Sequence, residues 1–314
     1  MRFALSSEHV SFASSIDALL SDVDVMAAAR SWAAGEPESG LKLWRGLAEL
    51  GITALGVPER FDGIAAEPID IVVALEQLGY HAVPGPWVDT VAVLPALLDN
   101  EVLAKVAAGE TLGSIVFAPH VPYALDADVA SARVLIDGGA LRAFVPGQRL
   151  SSVDPVRRLF KATAGQRLAS ARDVASAFDV GALGTTAQML GAGRWLLDTS
   201  VAYAKQRRQY GKEIGQYQAI KHLLADVVTK LELARPLLHA AAVTMTARDV
   251  SAAKVAAADA AYLAARTALQ VHGAIGYTAE HPLSLRLTKV RALVSAWGTS
   301  AFHRDRVLAA VVAR

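Results

Sequence analysis

Tyr203-Ala204-Lys205-Gln206-Arg207-Arg208-Gln209-Tyr210-Gly211-Lys212-Glu213-Ile214-Gly215-Gln216-Tyr217-Gln218-Ala219-Ile220-Lys221-His222 lies between two long apolar seams. Before it, Leu183, Ala187, Leu190, Leu197, Val201 and Ala204 recur at helical spacing, interrupted by Arg194. After it, Ile220, Leu224, Val227, Leu231, Ala234, Leu238, Ala241 and Met245 repeat at alternating steps of four and three. A stripe of this period has to be buried against another helix, so the pattern predicts two long helices joined by the quoted segment. Pro236 falls inside the second helix. A mid-helix proline costs about 3 kcal/mol, which predicts a kink there. Ser251 to Leu269 reads as a third helix and Leu293 to Ala313 as a fourth, giving an up-and-down bundle.

Toward the N-terminus the pattern changes twice. Ser114 to Ala118, Ala132 to Ile136, Leu141 to Val145 and Leu159 to Ala164 are short runs rich in Val, Ile, Leu and Phe, which predicts strands. Asp137-Gly138-Gly139 supplies the glycines that a tight hairpin demands. Further upstream, Leu43, Leu47 and Leu50 lie at helical spacing and Gly51 ends that segment. Pro58 and Asp62-Gly63 mark a turn, Ile69 to Leu78 resumes a helix, and Pro84-Gly85-Pro86 is a break. The expected architecture is mostly α with a small central β-domain: an N-terminal helical domain over 1–110, a reduced middle β-domain over 111–168 and a C-terminal four-helix bundle over 169–314.

With 314 residues the chain can bury a sizeable core without staples. Cysteine is absent, which removes disulfides, thiolate metal sites and cysteine nucleophiles together. Hydrophobic residues make up 53% of the chain, and much of that is alanine, which favours helices. The 31 Lys+Arg balance 30 Asp+Glu, and no basic cluster interleaves with aromatics, so nucleic acid is excluded as a partner. The longest stretch free of Asp, Glu, Lys and Arg, Thr111 to Leu125, carries Pro119 and Pro122 and is too short and broken to span a bilayer. No long apolar run precedes Glu8. A cytoplasmic protein without a transmembrane segment is expected.

The opening segment resembles the acyl-CoA dehydrogenase family, whose R-x-x-F-G is followed by a phenylalanine-glutamine pair. Here Arg207, Tyr210 and Gly211 precede Tyr217 and Gln218, with Tyr twice for Phe. A second segment, Gln270-Val271-His272-Gly273-Ala274-Ile275-Gly276-Tyr277-Thr278-Ala279-Glu280-His281-Pro282, is similar to the family's Q-x-x-G-G-x-G-Y-x-x-E-x-P, with Ala274 for the second glycine. Trp44 to Gly63 also resembles the family's N-terminal helical domain, and the likeness thins between about 113 and 170.

The resemblance implies oxidation of an acyl-CoA thioester to the 2,3-enoyl-CoA, with FAD and an electron-transfer flavoprotein-type acceptor. A glutamate takes the proton beside the thioester carbonyl, and the flavin takes a hydride from the next carbon. In the family each flavin lies at a subunit boundary. The resemblance assigns Arg207 and Gln218 to the phosphate- and FAD-contacting residues offered to a neighbouring chain, and Gln270, Gly273, Ala274 and Gly276 to its glycine-rich loop. The chemistry agrees: arginine is a forked donor to pyrophosphate oxygens, and glycine lets backbone N–H groups come close. Alone, Arg207 would read as a solvated charge and the Gln270 segment as a helix cap; in register, the two motifs favour a cofactor. His222 and His272 read as loop or core histidines, since the family uses neither as its base.

What such an enzyme needs around its own flavin is missing. Many members place the base directly before Gly-Thr-Ser, and Gly298-Thr299-Ser300 follows Trp297. The alternative position, on the helix before R-x-x-F-G, falls on Gly181. Indole donates but cannot accept a proton near neutral pH, and glycine has no side chain. Glu280 reads as a helix-start cap or ion pair, and Asp179 is turned to another helix face. The family's T-E-P-x-x-G-S-D stretch has no counterpart between Val116 and Asp128, and Ala301 stands where Gln is common.

The resemblance therefore points to the short, base-less subunit of actinobacterial heteromeric enzymes of steroid catabolism. Such a chain pairs with a homologous catalytic subunit in an α2β2 heterotetramer acting on a bulky acyl-CoA, with the Ile220 to Met245 seam on a face turned to another subunit. No metal site is expected. Two alternatives stay open: a homomeric dehydrogenase with a relocated base such as Asp179 or Glu280, and a non-catalytic protein that binds acyl-CoA or a partner.

Overall fold

Helices occupy both ends of the chain and strands its middle in the computed structural model, which describes residues 4–170 and 173–313. The first part comprises α1 (Ser7–Ser21), α2 (Val25–Ala34), α3 (Glu38–Glu49), α4 (Pro68–Tyr80), a π-helical turn (Val88–Val93) that runs into α5 (Leu94–Leu97), and α6 (Val102–Ala107). Ser6 accepts the His9 backbone N–H and Asp24 that of Ala27, which caps the first two helices. Gly35 and Gly51 follow α2 and α3 at φ of 92° and 80°, a left-handed turn that glycine makes without strain. Trp32, Trp44 and Trp87 are the largest of the fully buried side chains in this core, with Trp44 and Trp87 stacked at 3.9 Å between ring centroids.

The middle is a five-stranded sheet of β1 (Gly113–Val116), β2 (Ala124–Leu125), β3 (Ala132–Asp137), β4 (Ala140–Leu150) and β5 (Leu159–Ser170), in the order β1-β3-β4-β5-β2. β1 and β3 run parallel, and the other pairs are antiparallel. Asp137 pairs with Ala140 across Gly138 and Gly139 at φ of 53° and 86°, the tight hairpin that the sequence predicts. β4 and β5 extend well past their apolar runs. Their outer ends are largely exposed and are held by the ladder of main-chain hydrogen bonds, which hydropathy does not register. The sheet is tied to α2 through Asp126, whose Oδ1 accepts the Trp32 indole N–H at 3.0 Å and faces the sealed Arg158 guanidinium at 3.4 Å. Arg158 also lies over the Trp32 ring, 4.6 Å from its centroid.

The C-terminal part contains α7 (Val174–Gln206), a small ribbon of β6 (Arg208–Gln209) and β7 (Lys212–Glu213), then α8 (Gln218–Thr244), α9 (Ala247–His272), α10 (Leu283–Leu293) and α11 (Ser300–Val312). α9 packs against α7, α8 and α11. α8 runs through Pro236 as one helix. Two expectations are corrected here. Val227, Leu231, Ala234, Leu238 and Ala241 are buried within the chain, so the α8 seam serves this bundle, and a different row (Leu223, Val228, Leu233, Leu237, Val243) is left exposed. A strong heptad stripe is consumed by the nearest helices of its own chain. The expected fourth helix, Leu293 to Ala313, begins only at Ser300 as α11, and α10 ends at Leu293 before it, because Trp297 and Gly298 adopt φ of 54° and 97° and Thr299 caps a new helix at the Phe302 N–H. The buried Lys254 ammonium holds the severed end of α10, donating to the carbonyls of Leu293 at 2.9 Å and Val294 at 3.3 Å.

α4 and α7 cross with their backbones touching. A side chain at Gly79 would overlap the Gln188 main chain, and one at Gly191 would overlap the Glu76 carbonyl. Beside this crossing the buried Glu76 carboxylate meets Arg194 at 3.1 Å and Arg235 at 3.4 Å, which pins α4, α7 and α8 together. Among the described residues no helix is long and apolar enough to cross a membrane, and no group of three or more His, Cys, Asp or Glu could hold a metal.

Candidate functional site

A cleft of about 450 Å³ opens where the π-helical turn, the loops after β1 and β4, and helices α7 and α10 meet. Trp297 forms part of its wall. Trp297 and Gly181, far apart in sequence, are in contact: a Cβ on Gly181 would lie 2.5 Å from the indole ring. The indole thus fills the space that either side chain could use. Its backbone is fixed as well. His303 Nε2 lies 2.8 Å from the Trp297 carbonyl and Nδ1 3.0 Å from Ser251 Oγ, and Arg306 donates to the same hydroxyl at 3.1 Å. Burial lowers the His303 pKa to about 4, so the ring is neutral, donates from Nε2 and accepts the Ser251 hydroxyl proton. This support was invisible in the sequence, where nothing connects Ser251 with His303.

Asp89 was missed too. It lines the cleft at 2% exposure, its Oδ2 accepts the Ile115 N–H at 3.0 Å, and the Trp297 indole N–H is directed to the same carboxyl. Desolvation pushes its pKa up from 3.8 to about 7, against the lowering effect of the Ile115 hydrogen bond and Arg157. Asp126 shifts the same way, to about 6, for the same reason. The folded chain therefore keeps a proton on Asp89 that the unfolded chain releases. This contribution is full below the unfolded value and lost as pH rises through about 7. Asp89→Asn cannot ionise, so relative to the parent chain its stability at pH 8 should rise compared with that at pH 5, read from urea midpoints. An equal offset at both pH values would show that Asp89 is ionised in the fold throughout.

Asp179 and Glu280 are not in this cleft. The Asp179 carboxylate faces Arg306 Nη1 at 2.7 Å, on a face of α7 different from that of Gly181, and Glu280 is exposed, its carbonyl accepting from Arg30. His222 is exposed on α8, and His272 is buried with Nδ1 2.8 Å from the Ala268 carbonyl.

The other predicted residues form a second, outward-facing group. Tyr203 stacks on His272 with centroids 4.4 Å apart, which brings the end of α7 beside the end of α9. Arg207 closes α7 and Gln218 opens α8, both exposed; Arg207 forms no side-chain hydrogen bond or ion pair with the described residues. Gln270 and Ala274 are exposed on the facing segment. Gly273 ends α9 at φ 62° and ψ −137°, a glycine conformation, and no atom lies within 4 Å of where a Cβ would be. Gly276 differs: a Cβ there would press on Leu283, His272 and Leu269 at 3.1–3.2 Å, so its smallness serves the chain's own packing.

Residues 6–100 match the family described as Acyl-CoA dehydrogenase, N-terminal domain, and residues 171–312 match Acyl-CoA dehydrogenase, C-terminal domain. The chain is 35% identical over 261 residues to Acyl-CoA dehydrogenase IpdE2 of Mycolicibacterium smegmatis, covering 81% of this chain and 83% of that protein. Among solved structures it is similar to a glutaryl-CoA dehydrogenase of Mycobacterium smegmatis in complex with FADH2, at TM-score 0.82 and 16% identity over 99% of this chain and 96% of that one. It is likewise similar to the Tcur3481-Tcur3483 steroid ACAD, at TM-score 0.81 and 19% identity over 98% and 99%.

Proposed function

The chain belongs to the acyl-CoA dehydrogenase family, and from that we propose that it is the non-base-bearing subunit of a heteromeric FAD-dependent acyl-CoA dehydrogenase. The contact of Trp297 with Gly181 carries this reading. Both positions at which the family holds its base are spent on each other, and the two carboxylates considered as a relocated base are elsewhere: Asp179 is paired with Arg306, and Glu280 is exposed and does not line the cleft. The base and most of the thioester pocket then come from a homologous catalytic subunit in a cytoplasmic α2β2 heterotetramer. The likeness in fold to the steroid ACAD is in keeping with a bulky, steroid-derived CoA thioester as substrate.

The outward-facing group suits the diphosphate-bearing part of FAD. Arg207 has a free guanidinium to offer, and the N–H groups at Gly273 lie behind an open face. When bound, FAD supplies the hydride acceptor, which is reoxidised by an electron-transfer flavoprotein-type acceptor. This chain's part is to bind and orient: Arg207, Gln218, Gln270, Gly273 and Ala274 reach the cofactor across the subunit boundary, and Gly276 sets the shape of their loop. Arg207→Ala should leave the chain folded, as judged by circular dichroism, and weaken FAD retention in the complex by about 10- to 100-fold, the worth of one charge-assisted hydrogen bond. Unchanged FAD content would return Arg207 to a surface charge.

Co-purification with the catalytic subunit, followed by solution mass and the ratio of flavin to protein, tests the assembly. The expected result is two pairs with one FAD per pair. One FAD per chain would defeat the shared site, and a stable flavin-loaded assembly of this chain alone would defeat the heteromer.

A further inference from the structure

The cleft beside Trp297 keeps its volume although no base serves it, and its polar lining is unspent. Thr185 and Gln188, on adjacent turns of α7, are 1% and 4% exposed, yet neither side chain makes a hydrogen bond with the described residues. Neither is among the sealed orphan atoms of the interior, so each still meets solvent, and the cleft is the opening they line. Buried polar groups are ordinarily satisfied, and two open ones on a single wall mark a place where something else supplies the bonds. Arg157, on the loop between β4 and β5, lines the same cleft and has no hydrogen bond or ion pair through its guanidinium. Lys289 of α10 is 7% exposed and uses one of its donors, on the Val83 carbonyl at 3.1 Å.

Three buried acids lie near these cations, and burial pushes each toward its protonated form: Asp89 and Asp126 on the cleft wall, both within reach of the Arg157 charge, and Asp154, which faces Lys289 and Arg157. Asp126 is also shared with Arg158. Trp87 and Trp297 supply the apolar surface.

We propose that this cleft is a ligand site in its own right, taking a ring-bearing organic carboxylate: Arg157 with Lys289 receives the carboxylate, Trp87 and Trp297 the ring system, and Thr185 with Gln188 a neutral oxygen substituent. A guanidinium is the preferred fork for a carboxylate, and its selectivity over an uncharged isostere comes from the charge-assisted bonds. The site lies within one chain and does not depend on the heteromer.

The test titrates the full chain, in whichever assembly it purifies, with hydroxynaphthoate and with its uncharged amide, following quenching of tryptophan fluorescence. One equivalent of the acid should bind per chain, and the amide should bind about 10- to 100-fold more weakly. Arg157→Ala should weaken the acid by the same factor and leave the amide unchanged. Ala292→Phe, which fills the cleft without removing a polar group, should abolish binding of both. Urea midpoints on each variant establish that it is folded. Equal affinity for acid and amide, or indifference to Arg157→Ala in a folded variant, overturns the proposal. So does a flavin that occupies the cleft of this chain and excludes the acid.

Discussion

An acyl-CoA added to the purified single chain with FAD supplied should reduce the flavin at a rate about 100- to 10,000-fold below that of the mixed complex, the ordinary worth of a positioned general base. The physical cause is local. A base has to reach the proton beside the thioester carbonyl, and the position before Gly298 holds an indole locked between Gly181 and the hydrogen bond from His303 to its carbonyl. Trp297→Glu alone should not restore the rate, because the carboxylate would leave a void over Gly181 and would sit beside the buried Asp89 carboxyl, which favours its protonated form. The measurement is anaerobic bleaching of the flavin by acyl-CoA, in the single chain and in the complex. Bleaching of the single chain at the rate of the complex would mean that another group in this chain takes the proton.

Gly191→Ala should be among the most damaging small substitutions in the fold, lowering stability by upwards of about 3 kcal/mol, the upper end of what overpacking costs. Its added methyl would overlap the Glu76 carbonyl and crowd the Tyr80 N–H, and neither backbone group can rotate away as a side chain tip would. The helices would have to separate, which would loosen the Glu76 contacts to Arg194 and Arg235 that join α4, α7 and α8. Urea unfolding gives the measure: Gly191→Ala should lose a large share of a stability that totals roughly 5–15 kcal/mol for a domain, while Gly138→Ala, whose Cβ would meet nothing within 4 Å, should lose much less. Equal midpoints for the two would show that α4 and α7 stand further apart.

Most of the helices are legible without coordinates, because period and capping act over one or two turns. The seam of α8, the hairpin at Gly138-Gly139 and the end of α3 at Gly51 are each written in a few adjacent residues. The two motif segments were equally readable, since each is continuous in the chain. Where local signals stop, so does the reading. The run from Leu293 to Ala313 reads as one helix, and its break at Trp297 and Gly298 depends on a buried lysine arriving from α9 and on His303 of the same run, whose ring is held by Ser251 of α9. The direction of the α8 seam was misassigned because periodicity reveals that a face is apolar but not which helix covers it.

The chain's own order of residues thus determined its family, its helical and stranded regions, and the absence of a glutamate from both base positions. Only the tertiary structure decided that those positions touch, that Asp89 and Arg157 share a cleft with Trp297, and that the end of α7 meets the end of α9 through Tyr203 and His272. These are pairings between distant segments, made by packing and desolvation, and neither force leaves a mark on the residues that flank each partner.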